Sequence, residues 1–255
     1  MQNKYFELFS SIQPDTRTSL DSILIIDGLN TFLRAFTMIN HINPNGHHIG
    51  GLTGFLKSVG YAIKMLNPTK VVIIFDGIGG SNARRNLYPE YKANRAKTPD
   101  EFRSQMSYLH ELVTAFGITT FEVEGYEADD ILATIAKRAE SEGAHTLICT
   151  GDRDSFQLVN EMTTVLYPKR GVSDLARMTP ESVYEKYGMT PAQYPDFAAL
   201  RGDPSDNLPS VPGVGEKTAA KWIVDYGSLK ELIANADKLG GKVGQSLRDS
   251  INSVI

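Results

Sequence analysis

The chain has one cysteine and one tryptophan in 255 residues. A single thiol, Cys149, excludes any intrachain disulfide, and its place in the apolar run TLICT reads as a buried, inert core residue. No apolar stretch approaches the roughly 20 residues that a membrane-spanning helix needs. The N-terminal residues lack both the charged start and the long apolar core of a secretory signal. These absences point to the cytoplasm, with no membrane partner. Histidine is scarce, at five residues, and His47 and His48 follow an Asn-Gly turn, a setting for solvated side chains rather than metal ligands. Basic residues are not in excess either: 26 Lys and Arg face 30 Asp and Glu, for a net charge of −4.

Carboxylates, by contrast, are gathered at motif positions. Nine of them fall in five short segments: Asp27 in IDG, Asp76 in FDG, Glu127, Asp129 and Asp130 in EADD, Asp152 and Asp154 in GDRD, and Asp203 and Asp206 in GDPSDN. Each has an ordinary structural alternative. Asp27 and Asp76 could cap helices, the EADD acids could complement a helix dipole, and GDRD could form an Asx turn. Glu127 and Asp130, three apart, are expected on one helical face with a third acid beside them. Their joint occurrence favours a shared cleft. Nine acids in one cleft repel one another and resist desolvation. Hard divalent cations such as Mg²⁺ or Mn²⁺ resolve that, because they take oxygen ligands and keep some water. The pattern implies a metal-dependent hydrolase of phosphate esters.

The charge distribution fits such a substrate. Setting the nine motif acids aside turns −4 into +5 for the rest of the chain. Residues 84–103 carry six bases (Arg84, Arg85, Lys92, Arg95, Lys97, Arg103) against three acids. An acidic pit beside a basic strip suits a phosphodiester backbone.

Residues 1–21 read as an extension. Continuous apolar runs at 23–26, 71–75, 118–123, 146–149 and 163–167 predict strands covered on both faces, as in a parallel sheet. Helical patterns at 51–66, 100–116 and 128–142 lie between them. This order predicts a doubly wound, mostly parallel α/β domain over residues 22–178. Ligands in such sheets bind at the carboxyl ends of the strands, where Asp27, Asp76, Asp152 and Asp154 fall. A helical module is expected over 179–255, with helices at 180–187 and 191–201. A tight Gly-containing turn then opens an amphipathic helix that ends at Gly227, where Trp222 is a core residue.

The ordered set IDG, FDG, YPEYKANR, GYEADD, TGDRD, RGDPSDN and VPGVGEKTA resembles the 5′-nuclease (flap endonuclease) superfamily, including the 5′→3′ exonuclease domain of bacterial DNA polymerase I and stand-alone phage enzymes. The resemblance spans residues 22–248. It implies a PIN-like or resolvase-like core with a helical arch around 84–103 and a helix–hairpin–helix module. It implies two Mg²⁺ or Mn²⁺ ions: Asp27, Asp76, Glu127, Asp129 and Asp130 serve one, and Asp152, Asp154, Asp203 and Asp206 the other. It places Lys92 and Arg95, expected to share a helical face, over the scissile phosphate. Arg84 would contact the backbone and Tyr91 would stack on a terminal base. In VPGVGEKTA the hairpin residues Gly213 and Gly215 and the bases Lys217 and Lys221 would hold duplex phosphates. Backbone carbonyls near Val211 and Val214 would take K⁺. The implied enzyme is a structure-selective, monomeric 5′ nuclease, acting on DNA with 5′ single-strand/duplex junctions and on RNA–DNA primers. Two rivals are a PIN-type single-strand ribonuclease and a catalytically silent DNA-binding scaffold. A stand-alone phage-type enzyme and a polymerase-linked domain both remain open.

Overall fold

The computed structural model describes residues 21–169 and 174–254. The extension expected at 1–21 lies, except for Asp21, outside the described residues. Six strands form one sheet: β1 (Ser22–Asp27), β2 (Lys70–Phe75), β3 (Thr119–Glu122), β4 (His145–Cys149), β5 (Thr163–Pro168) and β6 (Leu175–Met178). Their order is β3-β2-β1-β4-β5-β6. The first five run parallel, and β6 adds to β5 antiparallel. The expected strand at 118–123 is shorter, and β6 lacks the continuous apolar run that marks the others.

The central strands are buried on both faces, and alternate residues enter two cores. Leu24 and Ile26 of β1 pack with Phe32, Phe55, Phe102 and Leu109. These come from α1 (Gly28–Met38), α2 (Gly50–Leu66) and, after the short α3 (Asn82–Leu87), from α4 (Asp100–Ala115). Ile25 faces the other way, against Leu132 and Ala136 of α5 (Ala128–Ser141). The sheet is thus doubly wound, as the sequence predicts. Cys149 is buried, and burial pushes its thiol up to about 12.

The remaining helices are α6 (Pro180–Tyr187), α7 (Tyr194–Arg201), α8 (Glu216–Tyr226), α9 (Leu229–Ala234) and α10 (Gly241–Val254). The helix expected over 191–201 begins as a 3-10 turn, Pro191–Gln193. Val183, Phe197, Trp222 and Leu247 belong to the same apolar cluster as Ile25 and Ile148. The C-terminal helices therefore rest on one face of the sheet through a shared core. No helix among the described residues is long and apolar enough to cross a membrane.

The order reverses between β1 and β4, which makes a crevice at their carboxyl ends. β1 ends at Asp27, and the loop after β4 carries Thr150 and GDRD.

Candidate active site

The acids converge because two glycines permit close backbone approach. A Cβ on Gly28 would lie 2.4 Å from the Phe75 ring and 2.9 Å from Ile74 O. Its absence lets the end of β1 sit beside the end of β2, bringing Asp27 toward Asp76. A Cβ on Gly77 would lie 1.8 Å from Val123 O. Here the loop after β2 touches the loop that opens α5, and Ala128 N donates to Asp76 Oδ1 at 2.7 Å.

Two residues missed by the sequence reading lace the crevice. Thr150 Oγ1 donates to Asp27 Oδ2 at 2.8 Å, and Asn30 Oδ1 accepts from Gly151 N at 2.8 Å. Their signal was position alone: Asn30 three residues after Asp27, and Thr150 just before GDRD. The ordinary structural roles are also real. Asp27 caps α1 by accepting from Asn30 N at 3.0 Å, and Asp152 accepts from Asp154 N at 2.8 Å. Asp203 takes both Ser205 donors at 2.8 Å. In Asp76, Asp152 and Asp203 only one carboxylate oxygen is so engaged among the described residues. Capping and site chemistry coexist.

Burial dominates the electrostatics of the pit. It pushes the Asp129 carboxyl up to about 8, helped by the charges of Asp152, Asp27 and Asp76. Burial likewise raises Asp27 to about 6 against the Asn30 and Thr150 bonds. It raises Asp154 to about 6, with Asp152 and Asp203 adding to the effect, and it raises Asp152 too. Among the described residues, nothing donates a hydrogen bond to the carboxyls of Asp129 or Asp154. A nearby cation favours the ionised form of such groups. Among those residues no three Asp, Glu, His or Cys side chains are grouped tightly enough to hold a metal ion directly. Mg²⁺ dehydrates reluctantly and binds proteins through a few carboxylates and several waters. The spaced, all-oxygen donor set fits that ion class, and it does not fit a closed nitrogen- or sulfur-ligated site.

Glu127, Asp130 and Asp206 stand apart from the other six, because bases already hold them. Lys92 Nζ donates to Glu127 Oε1 at 2.8 Å and lies 3.8 Å from Asp206. Arg95 Nη2 donates to Asp206 Oδ1 at 2.6 Å. Arg84 forms a two-point bridge to Asp130, at 2.9 and 2.8 Å. Ser81 also donates to Glu127. Burial would raise Glu127, but Lys92, Ser81 and Tyr91 outweigh it and hold the carboxyl below the usual range. The Arg84 hydrogen bonds hold Asp130 low in the same way.

Two expectations are corrected here, those for Lys92 with Arg95 and for Tyr91. Lys92 and Arg95 do not share a helical face: residues 89–94 form consecutive turns, with Lys92 at φ +58°. They converge because Lys92 N–H donates to Asp206 O at 2.9 Å and Asn94 to Pro204 O at 2.8 Å, which docks the loop on the GDPSDN segment. Glu127 and Asp130 do stand together, and Arg84 reaches both, Glu127 Oε2 at 3.5 Å and Asp130 Oδ1 at 2.8 Å. Glu127 is the N-cap of α5, and its N–H donates to Asp130 Oδ2 at 3.1 Å. Tyr91 is not free to stack on a base. Its ring is buried, and its hydroxyl lies 2.9 Å from both Glu127 Oε2 and Asp206 Oδ2. Lys221 is paired with Asp225, one turn along α8, at 2.6 Å.

Residues 84–103 comprise most of α3, the docked turns, an irregular stretch and the start of α4. An open cleft of ≈ 200 Å³ lies beside them, lined by Asp76, Ser81, Lys92, Arg95 and Glu127 among others. Further along, Val214 N donates to Val211 O at 2.9 Å, and Gly213 adopts φ +81°. This is a tight hairpin turn before α8. Gly215 is the N-cap of α8, and Lys217 is exposed on its first turn.

Comparison with known proteins agrees with this layout. A family described as 5′-3′ exonuclease, N-terminal resolvase-like domain, matches residues 22–188. The 5′-3′ exonuclease C-terminal SAM fold matches 189–255. DNA polymerase I of Mycobacterium bovis is 49% identical over 247 residues, 95% of this chain and 27% of that protein. Thermostable DNA polymerase I of Thermus thermophilus is 44% identical over 218 residues, 85% of this chain and 25% of that protein. The chain thus spans about a quarter of the length of these relatives. Among solved structures, the T5 D15 protein co-crystallised with metal ions matches at TM-score 0.75 and 23% identity, covering 91% of this chain and 86% of that one. The catalytic core of Rad2 with a DNA substrate matches at 0.59 and 18%, covering 92% and 74%. The chain belongs to the 5′-3′ exonuclease family, with a resolvase-like sheet domain followed by a SAM-type helical fold.

Proposed function

We propose that this chain is a divalent-metal-dependent 5′ nuclease acting on DNA near single-strand/duplex junctions in replication and repair, with 5′ flaps and RNA–DNA primers as substrates. One observation carries the reading. The buried carboxyl of Asp27 and the partly buried carboxyls of Asp129, Asp152 and Asp154 crowd the ends of β1 and β4 and the start of α5, all pushed upward, beside a wall of Lys92 and Arg95.

Asp27, Asp76, Asp129, Asp152, Asp154 and Asp203 would hold two Mg²⁺ or Mn²⁺ ions, with Glu127, Asp130 and Asp206 bordering them. Such ions activate water and stabilise the leaving oxygen of a phosphodiester. The protein's own part is positional. Lys92 and Arg95 can leave Glu127 and Asp206 for a phosphate that enters the cleft. Tyr91, whose one O–H donates to a single acceptor at a time, then keeps a hydrogen bond to either Glu127 or Asp206. The hairpin amides and Lys217 seat duplex phosphates, which fixes register without reading bases. On this reading residues 22–178 are catalytic, 179–255 bind duplex, and the chain acts as a monomer. K⁺ near Val211 and Val214 belongs to the same proposal.

The silent-scaffold reading is weakened by the retention of all nine acids. The single-strand ribonuclease reading is weakened by the docked 88–95 loop and the hairpin. The test is a nuclease assay on 5′-flap, duplex and single-stranded substrates with Mg²⁺ or EDTA. Mg²⁺-dependent cleavage favouring the flap supports the proposal. Cleavage confined to single-stranded RNA, or none at all, rejects it.

A further inference from the structure

Arg153 and Arg201 belong to acidic motifs, and both also reach one carboxylate outside them. Arg153 lies between Asp152 and Asp154, and Arg201 ends α7 two residues before Asp203. Arg153 Nη1 donates to Glu216 Oε1 at 3.1 Å, and Arg201 Nη1 lies 3.7 Å from the same oxygen. Glu216 is the first residue of α8, directly after the hairpin. One oxygen thus joins the GDRD loop, the end of α7 and the start of α8.

The backbone is shaped for this meeting. Gly202 has φ +69°, and a Cβ there would lie 2.6 Å from Pro209 C. The chain folds back on itself, and Val211 N donates to Leu200 O at 3.0 Å. Arg201 is further held over the Phe197 ring, 5.3 Å from its centroid, and by donation to Gly202 O at 3.1 Å. An acid at a helix start also complements the dipole, but that role needs no arginine from two other segments. Exposed ion pairs add little stability, and Glu216 and Arg153 are 54% and 43% exposed. Restraint of geometry, not stability, is what the arrangement provides.

We propose that Glu216 is a positioning residue that fixes the Asp152–Asp154 loop and the Asp203 loop against the hairpin, so that duplex phosphates and the catalytic acids keep a common register. The inference rests on the 5′-nuclease reading. Without the Glu216 carboxylate, Arg153 and Arg201 lose the anion they share. They then turn toward Asp154 and Asp203, where they compete with a divalent cation.

The test compares the full chain with Glu216→Gln and Glu216→Asp. Three quantities are measured: the saturating single-turnover rate on a 5′ flap, flap affinity in Ca²⁺, and the Mg²⁺ concentration at the midpoint of the Tm shift. Loss of a group hydrogen-bonded to a metal ligand costs about 10–100-fold in affinity or activity, and Glu216 acts one residue beyond that shell, which makes the low end of that range the scale. Glu216→Gln should therefore lose about tenfold in rate, with flap Kd changed less than about threefold. Its Mg²⁺ midpoint should rise, and Glu216→Asp should recover part of both effects. An unchanged rate and midpoint, or a loss confined to Kd, overturns the proposal. Failure of the wild-type chain to cleave in Mg²⁺ overturns the nuclease reading instead.

Discussion

Lys92 Nζ lies 2.8 Å from Glu127 Oε1, with side-chain exposures of only 12% and 5%. In the metal-free protein this lysine is the internal counter-ion of an acid cluster. Lys92→Ala should destabilise the metal-free protein by about 1–3 kcal/mol, because a buried carboxylate loses a charged donor. Thermal unfolding in EDTA checks that. The same variant should lose about 10²-fold or more in single-turnover rate and much less in DNA affinity, as a cation meeting transition-state charge does. Equal losses would reduce Lys92 to a phosphate anchor.

The raised acids set a pH dependence of known sign. Asp129, near 8, and Asp27 and Asp154, near 6, bind protons more tightly folded than unfolded. Their contribution is fully present below about pH 4 and is lost as pH rises through 6 to 8. Glu127 and Asp130 are held low, so their contribution is lost only on acidification below the usual carboxylate range. In EDTA, Tm should therefore fall between pH 5.5 and 8.5. The stabilisation given by Mg²⁺ should grow over the same window, because the metal binds the deprotonated site. A Tm flat with pH and indifferent to Mg²⁺ would count against a crowded acidic pit.

Asp152→Asn and Asp27→Asn should each abolish turnover and leave DNA binding within about tenfold, since bases elsewhere supply backbone affinity. Removing a buried charge also relieves repulsion. Both variants should melt no lower than wild type in EDTA at pH 8 and should gain less from Mg²⁺. Near-normal cleavage by either would refute the site.

Much of this was legible in the sequence. The strands of a doubly wound sheet are continuous apolar runs, and β1, β2, β4 and β5 stand where those runs lie. Three of the carboxylate motifs, IDG, FDG and GDRD, sit at or just past strand ends, while EADD opens α5 and GDPSDN follows α7. What was not legible came from tertiary contacts. Nothing local marks β6, which is only partly buried apart from Met178 and pairs as an antiparallel edge. A helical spacing of three joins Lys92 to Arg95, but docking on GDPSDN overrides it with turns. Tyr91 looked like a stacking residue because its two carboxylate partners, Glu127 and Asp206, are 36 and 115 positions away. Arg153, Arg201 and Glu216 carried no joint signal, since their meeting depends on the fold-back at Gly202.

Lys217 is exposed on the first turn of α8, while Lys221 is paired with Asp225. Lys217→Ala should weaken binding to a duplex-containing flap and flatten the salt dependence of affinity by about one counterion. Lys221→Ala should do less. Cleavage of short single strands that do not reach the hairpin should change little. Strong dependence on duplex sequence would contradict backbone-only contact.

The most direct test is the rate of 5′-flap cleavage by the wild-type chain as Mg²⁺ is titrated from an EDTA-treated start. Two cooperating cations predict no cleavage in EDTA and a rise steeper than first order in Mg²⁺ before saturation. Cleavage that persists in EDTA, or a flap left intact at saturating Mg²⁺, would contradict a carboxylate pit built for metal-assisted phosphodiester hydrolysis.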